Sequence, residues 1–170
     1  MKKLFTVALV AGIMLVTANF AKAQTKIAYV DFNSVIESMP GLKPIQTQLQ
    51  NYQKTFMDQL QSMQTELQTK AKAYETNSKT MTDATRTATE NELNDINKRI
   101  QEFQNSAQQQ VQAKSAELFK PLSDQAKAAI NTVAKEKGYT YVFDSGSTGM
   151  IVSPAGDDLM PAVKLKLGIK

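Results

Sequence analysis

The sequence predicts an α+β chain in which a long antiparallel helical hairpin, packed as a coiled coil, projects from a small β-rich body. Three observations carry this. Apolar residues recur by threes and fours in two long stripes, a polar stretch rich in Thr and Asn separates the stripes, and short runs of strand-forming residues lie on either side of the whole.

The chain opens with Lys2 and Lys3, an uncharged apolar run from Leu4 to Phe20, and Ala21-Lys22-Ala23, small residues at both ends of an A-x-A pattern. Residues 1–23 read as a secretory signal, leaving a mature chain of 147 residues that begins at Gln24. Without the three Lys of that segment, 17 basic side chains face 16 acidic ones. The basic character of the full chain therefore belongs mostly to the targeting segment and points to no nucleic acid.

Ile27 to Phe32 alternates with a period of two and predicts a first strand; Asn33 opens a short helical turn that Met39, Pro40 and Gly41 end. One stripe then runs through Leu42, Ile45, Leu49, Tyr52, Phe56, Leu60, Met63, Leu67, Ala71 and Tyr74. The other runs through Leu93, Ile96, Ile100, Phe103, Ala107, Val111, Lys114 and Leu118. Residues 76–89 form the expected tip. Folded about residue 82, the hairpin brings the double four-residue steps at Tyr52-Phe56-Leu60 and Phe103-Ala107-Val111 to nearly equal height, a shared departure from the heptad. Each arm helix would reach about 50 Å.

Beyond Pro121 the apolar spacing continues at Leu122, Ala126, Ala129, Ile130 and Val133, and Gly138 suits a left-handed helix cap. Pro121 predicts a bend, acting either as a hinge or as a fixed seat for the arm. Tyr139 to Asp144 reads as a second strand, Ser145 to Gly149 as a hairpin loop, Met150 to Val152 as a third strand, and Leu159 to Leu167 as a final helix. The body thus comprises 24–42 and 121–170, and the hairpin 43–120.

The chain contains no Cys and no His, which removes thiol nucleophiles, imidazole bases, disulfides and the usual zinc, haem and iron-sulfur ligands. An exported chain without disulfides needs another source of stability, and oligomerisation supplies one. Asp157 and Asp158 fit helix capping and turn formation better than acid-base work. The Ser145–Gly149 stretch lacks the Lys and helix of a phosphate loop. Asp31 and Asp144 each end a strand and are placed to meet, but no reaction class follows. No catalytic, cofactor-binding or metal-binding residue is assigned, and no enzyme activity is expected. Met57 and Met81 offer flexible apolar contact surface on the arm, while Gln-rich faces read most simply as solvated helix.

KIAYVDFNSVI at the mature start, the helical hairpin, KEKGYTYVFDSG after it and DDLMPAVKLKL at the end together resemble the Skp/OmpH family of periplasmic chaperones. The resemblance implies a homotrimer. Short strands from three subunits would form a central trimerisation body, and three hairpins would project as tentacles around a cavity that holds unfolded outer-membrane proteins without ATP. By that likeness Ile27, Tyr29, Val30, Phe32, Tyr141, Val142, Phe143 and Ile151 belong to the trimer body; from the residues themselves, Met57 and Met81 are the client-contact candidates and Pro121 is either a hinge or a static bend. The hairpin carries 10 basic and 9 acidic residues, unlike the strongly basic members of the family, so lipopolysaccharide or membrane contact is not favoured. The alternative is a structural or adaptor coiled coil of the cell envelope.

Overall fold

The computed structural model describes residues 25–147, 149–151 and 154–169. The expected signal segment lies outside them. In chain order the elements are β1 (Ile27–Val30), α1 (Phe32–Ser38), α2 (Leu42–Asn77), α3 (Asp83–Glu136), β2 (Tyr141–Asp144), a 3-10 turn (Ala155–Asp157) and α4 (Met160–Lys166). They divide into two compact units, one holding the described residues up to Ser38 and from Ala126 onward, the other Met39–Gln125; α3 contributes to both.

In the first unit β1 and β2 pair in parallel, with Ile27 opposite Tyr141, Ala28 opposite Val142, Tyr29 opposite Phe143 and Val30 opposite Asp144. A parallel bridge from Tyr29 to Asp158 covers the other side of β1. Two strands bury little by themselves, so their stability comes from packing. Ala28 and Val30 are buried, as are Val35 of α1, Ala126, Ala129, Val133 and Ala134 of α3, and Leu159 and Val163 at α4.

Three sequence expectations are corrected here. The first strand stops at Val30, because the Asp31 carboxylate accepts the Ser34 main-chain N–H at 3.0 Å and caps α1, making Phe32 helical rather than extended. The second strand starts at Tyr141, because Gly138 (φ 72°) ends α3 in a left-handed cap. The N–H groups of Gly138 and Tyr139 donate there to the carbonyls of Lys135 and Ala134. No third strand forms at Met150 and Ile151; Val152 lies outside the described residues. Asp144 instead closes a turn by accepting the Gly146 N–H at 3.1 Å, and so short a segment has little burial to gain as a strand.

The second unit is the hairpin. Lys70 of α2 pairs with Glu92 of α3, the Tyr74 hydroxyl donates to Glu90, Glu66 lies 3.9 Å from Arg99, and the Phe56 and Phe103 rings meet, which together define antiparallel pairing. Every predicted seam residue of α2 is half-buried except Ala71, which is exposed; Lys70 takes its place. With Lys70 in the seam the spacing returns to threes and fours, leaving a single stutter in α2 that matches the one in α3. The aliphatic stem of Lys can lie along a seam while its ammonium reaches Glu92 at the edge. The tip is also shorter than expected. Residues 76–77 finish α2, residues 83–89 begin α3, and Thr82 caps α3 by accepting the Thr85 N–H at 3.3 Å. Half-buried Arg86 and Thr89 continue the seam, so packing outweighs the weak helix propensity of Thr. Pro121 lies inside α3, which continues unbroken to Glu136.

Candidate interaction surfaces

Residues that pair across a sheet share a face. Ile27, Tyr29, Tyr141 and Phe143 therefore form one apolar face of the β1–β2 sheet, and Ile27 (47%), Tyr141 (57%) and Phe143 (45%) remain substantially exposed. Val30 points the other way and is buried within its own unit, Val142 is half-buried beside it, and Phe32 is half-buried at the start of α1. Ile151 is almost fully exposed, at 97%. The predicted body residues thus divide into an inward group, led by Val30, and an outward group that leaves apolar surface uncovered.

The outer edge of β2 has no strand neighbour among the described residues. Beside it lies a groove of about 710 Å³ floored by Val30, Val142, Ile130 and Ala134, with Lys127 and Lys135 on its rim. Neither the groove nor the parallel pairing was foreseen. Strands separated by a hairpin of this length carry no pairing signal in local periodicity.

Asp31 and Asp144 do meet. A Cβ on Gly146 would stand 2.8 Å from Asp31 Oδ1 and 3.4 Å from Asp144 Oδ1. Both carboxylates hold main-chain donors. Asp144 accepts the N–H groups of Phe32 and Gly146, each at 3.1 Å, and Asp31 accepts the Ser34 N–H and, at 2.8 Å, its hydroxyl. The Ser34 main-chain and hydroxyl donors keep the Asp31 carboxyl below the usual carboxylate range.

Asp158 caps α4 by accepting the Met160 N–H at 2.8 Å, and Asp157 accepts the Tyr139 hydroxyl at 3.0 Å. Burial, aided by this bond to Asp157, raises the Tyr139 phenol above its ordinary value. Burial together with the charges of Asp158 and Asp157 does the same for Tyr29. These acids act as structural anchors.

On the hairpin, Met57 is 67% exposed and Met81 is half-buried at the tip. Met63 sits half-buried on the seam, and Tyr52 packs edge-on against Phe56 at 5.0 Å between ring centres. Pro121 is exposed.

Known proteins match this arrangement along most of its length. The chain is 29% identical over 157 residues to the chaperone protein Skp of Photorhabdus luminescens, covering 90% of this chain and 92% of the relative. Its identity to the chaperone protein Skp of Photorhabdus laumondii subsp. laumondii is also 29%, with the same coverage. In fold it is similar to an OmpH-like outer membrane chaperone from Caulobacter crescentus CB15, with a TM-score of 0.70, 16% identity and 86% of each chain covered. The family model for the outer membrane protein (OmpH-like) family matches residues 26–167, from the Lys before β1 to the end of the last helical turn, and the chain belongs to that family.

Proposed function

We propose that this protein is an ATP-independent holdase that binds unfolded outer-membrane proteins in the periplasm and prevents their aggregation. The observation that carries the reading is the arm. α2 runs for 36 residues, about 54 Å at 1.5 Å per residue, and buries none of them fully, so it presents a long solvated surface. Membership of the OmpH-like family and likeness to two Skp chaperones support the same conclusion. The apolar segment of residues 4–20 after Lys2 and Lys3 supports export. The test is aggregation of a urea-unfolded outer-membrane β-barrel on dilution, with and without this protein. The holdase keeps the barrel soluble without nucleotide; unchanged aggregation at molar excess refutes it.

A homotrimer accompanies this reading. The Ile27, Tyr141 and Phe143 face and the open β2 edge give further copies apolar surface and main-chain partners to cover. Tyr141→Asp or Phe143→Asp should yield a folded chain of lower mass in sedimentation, whereas Val30→Asp should damage the unit itself. Wild-type protein sedimenting as a monomer at micromolar concentration would exclude the trimer. An adaptor coiled coil is less well supported, since Met57 is the one large exposed apolar side chain among the described arm residues.

A further inference from the structure

The two halves of the arm are chemically different. Residues 43–65 of α2 and 100–120 of α3 form its proximal and middle part and contain thirteen Gln and seven charged residues, Lys43, Lys54, Asp58, Glu102, Lys114, Glu117 and Lys120. The distal part, residues 66–99, contains one Gln and twelve charged residues. Both segments of the first region face each other across the seam at Phe56 and Phe103. All thirteen of its Gln are exposed. Only Gln61 and Gln110 bond a neighbouring side chain, to Thr65 and Ser106. Lys54 and Asp58 neutralise each other at 2.7 Å. Met57, the exposed apolar side chain of the arm, lies within this region.

A surface helix ordinarily carries about a quarter to a third charged residues, as the distal arm does. Helix formation gives no reason for the difference, because Gln, Glu and Lys are comparable helix formers.

We infer that this amide belt around Met57, rather than the charged distal arm and tip, is where an unfolded polypeptide docks, through its unpaired peptide groups. A primary amide both donates and accepts, as a peptide group does, so each Gln can pair with main chain of any sequence. Covering neutral amides with a bound chain costs less desolvation than covering charges, and no client charge pattern is rejected. The long, flexible Met57 side chain adds adaptable apolar contact. Half-buried Met81, among the charges of the distal arm, contributes little.

This inference rests on the holdase reading, and the experiment separates the two. The full mature protein is prepared with a photo-crosslinking residue at Met57 or Gln108 in the belt, or at Ala73 or Asn94 in the distal arm, and exposed to a urea-unfolded outer-membrane β-barrel. Belt positions should crosslink the client several times more efficiently. In parallel, Gln53, Gln108 and Gln112 are changed together to Glu, and Ala73, Thr87 and Asn94 likewise, adding equal charge to each region. The belt variant should bind about tenfold more weakly, equivalent to about 1.4 kcal/mol, and the distal variant nearly as wild type, with helicity and melting checked for both. Wild-type protein that fails to hold the client overturns both readings. Holding with equal crosslinking in the two regions, or equal loss in the two variants, overturns the belt alone.

Discussion

The rings of Phe56 and Phe103 lie 6.0 Å apart, tilted by 47°, at the level where both arm helices take two consecutive four-residue steps. Tyr52 adds an edge-on contact to Phe56. A stutter locally unwinds a left-handed supercoil, and aromatic side chains can fill the wider seam that results. Phe56→Ala and Phe103→Ala should each cost about 1 to 3 kcal/mol, below the range for fully buried rings because both are half-buried. Their coupling in a double-mutant cycle, read from urea unfolding, should be about 1 kcal/mol. Purely additive losses would show that the rings act independently.

Acid should weaken the β-containing unit through Asp31. Its carboxyl is held below the usual range by Ser34, so it contributes stability above its unfolded pKa, which is lost as pH falls through the depressed folded value. Asn at this position still caps α1 but does not titrate. Wild type should lose melting temperature between about pH 5 and pH 2, and Asp31→Asn should flatten that fall. An unchanged slope would place the acid sensitivity elsewhere.

Gly146 is constrained by its neighbours rather than by its backbone conformation. A methyl group there would meet Asp31 Oδ1 at 2.8 Å and Cγ at 3.2 Å, and Asp31 is fixed by its bonds to Ser34. Gly146→Ala should cost about 1 to 3 kcal/mol in thermal or urea unfolding. Gly156, whose added methyl would meet nothing within 4 Å, is the matched control.

The seams were legible in the sequence because each buried stripe repeats its spacing over many turns, and Gly138 was legible as a cap because few residues accept its conformation. Ala71 misled because residue type suggested burial where the helical phase selects Lys70. Thr-rich residues 83–89 looked like loop because propensity is weaker than the seam they continue. The paired strands were recognisable individually, but their parallel register depends on contacts between Ile27–Val30 and Tyr141–Asp144, which no local pattern encodes. On the interaction surfaces, Met57 stood out in the sequence by being off the seam, whereas strand alternation alone did not tell that Val30 is buried within its own unit while Tyr141 and Phe143 stay exposed.

Pro121 leaves the Glu117 carbonyl without its helical donor, four residues before the boundary at Gln125 between the compact units. If this is a hinge, the amides of residues 122–125 should exchange hydrogen faster than those of 126–134, and Pro121→Ala should slow them while narrowing the range of client sizes held. Unchanged exchange and client range in Pro121→Ala would identify a fixed seat.

Client capture should depend little on salt. A strongly basic cavity would attract acidic chains by a field that salt screens beyond about 8 Å at physiological strength. Here the hairpin carries 10 basic against 9 acidic residues, and several of these neutralise one another, Lys70 with Glu92 and Lys114 with Glu117 among them. What remains is a sum of short contacts from Gln, Thr and Met side chains, each weak and insensitive to ionic strength. Affinity for an unfolded barrel, followed by fluorescence quenching, should therefore change by less than about threefold between about 50 and 500 mM NaCl. A tenfold or greater fall would reveal a local basic patch as the capturing element, and would direct attention to the Lys127 and Lys135 rim instead of the arm.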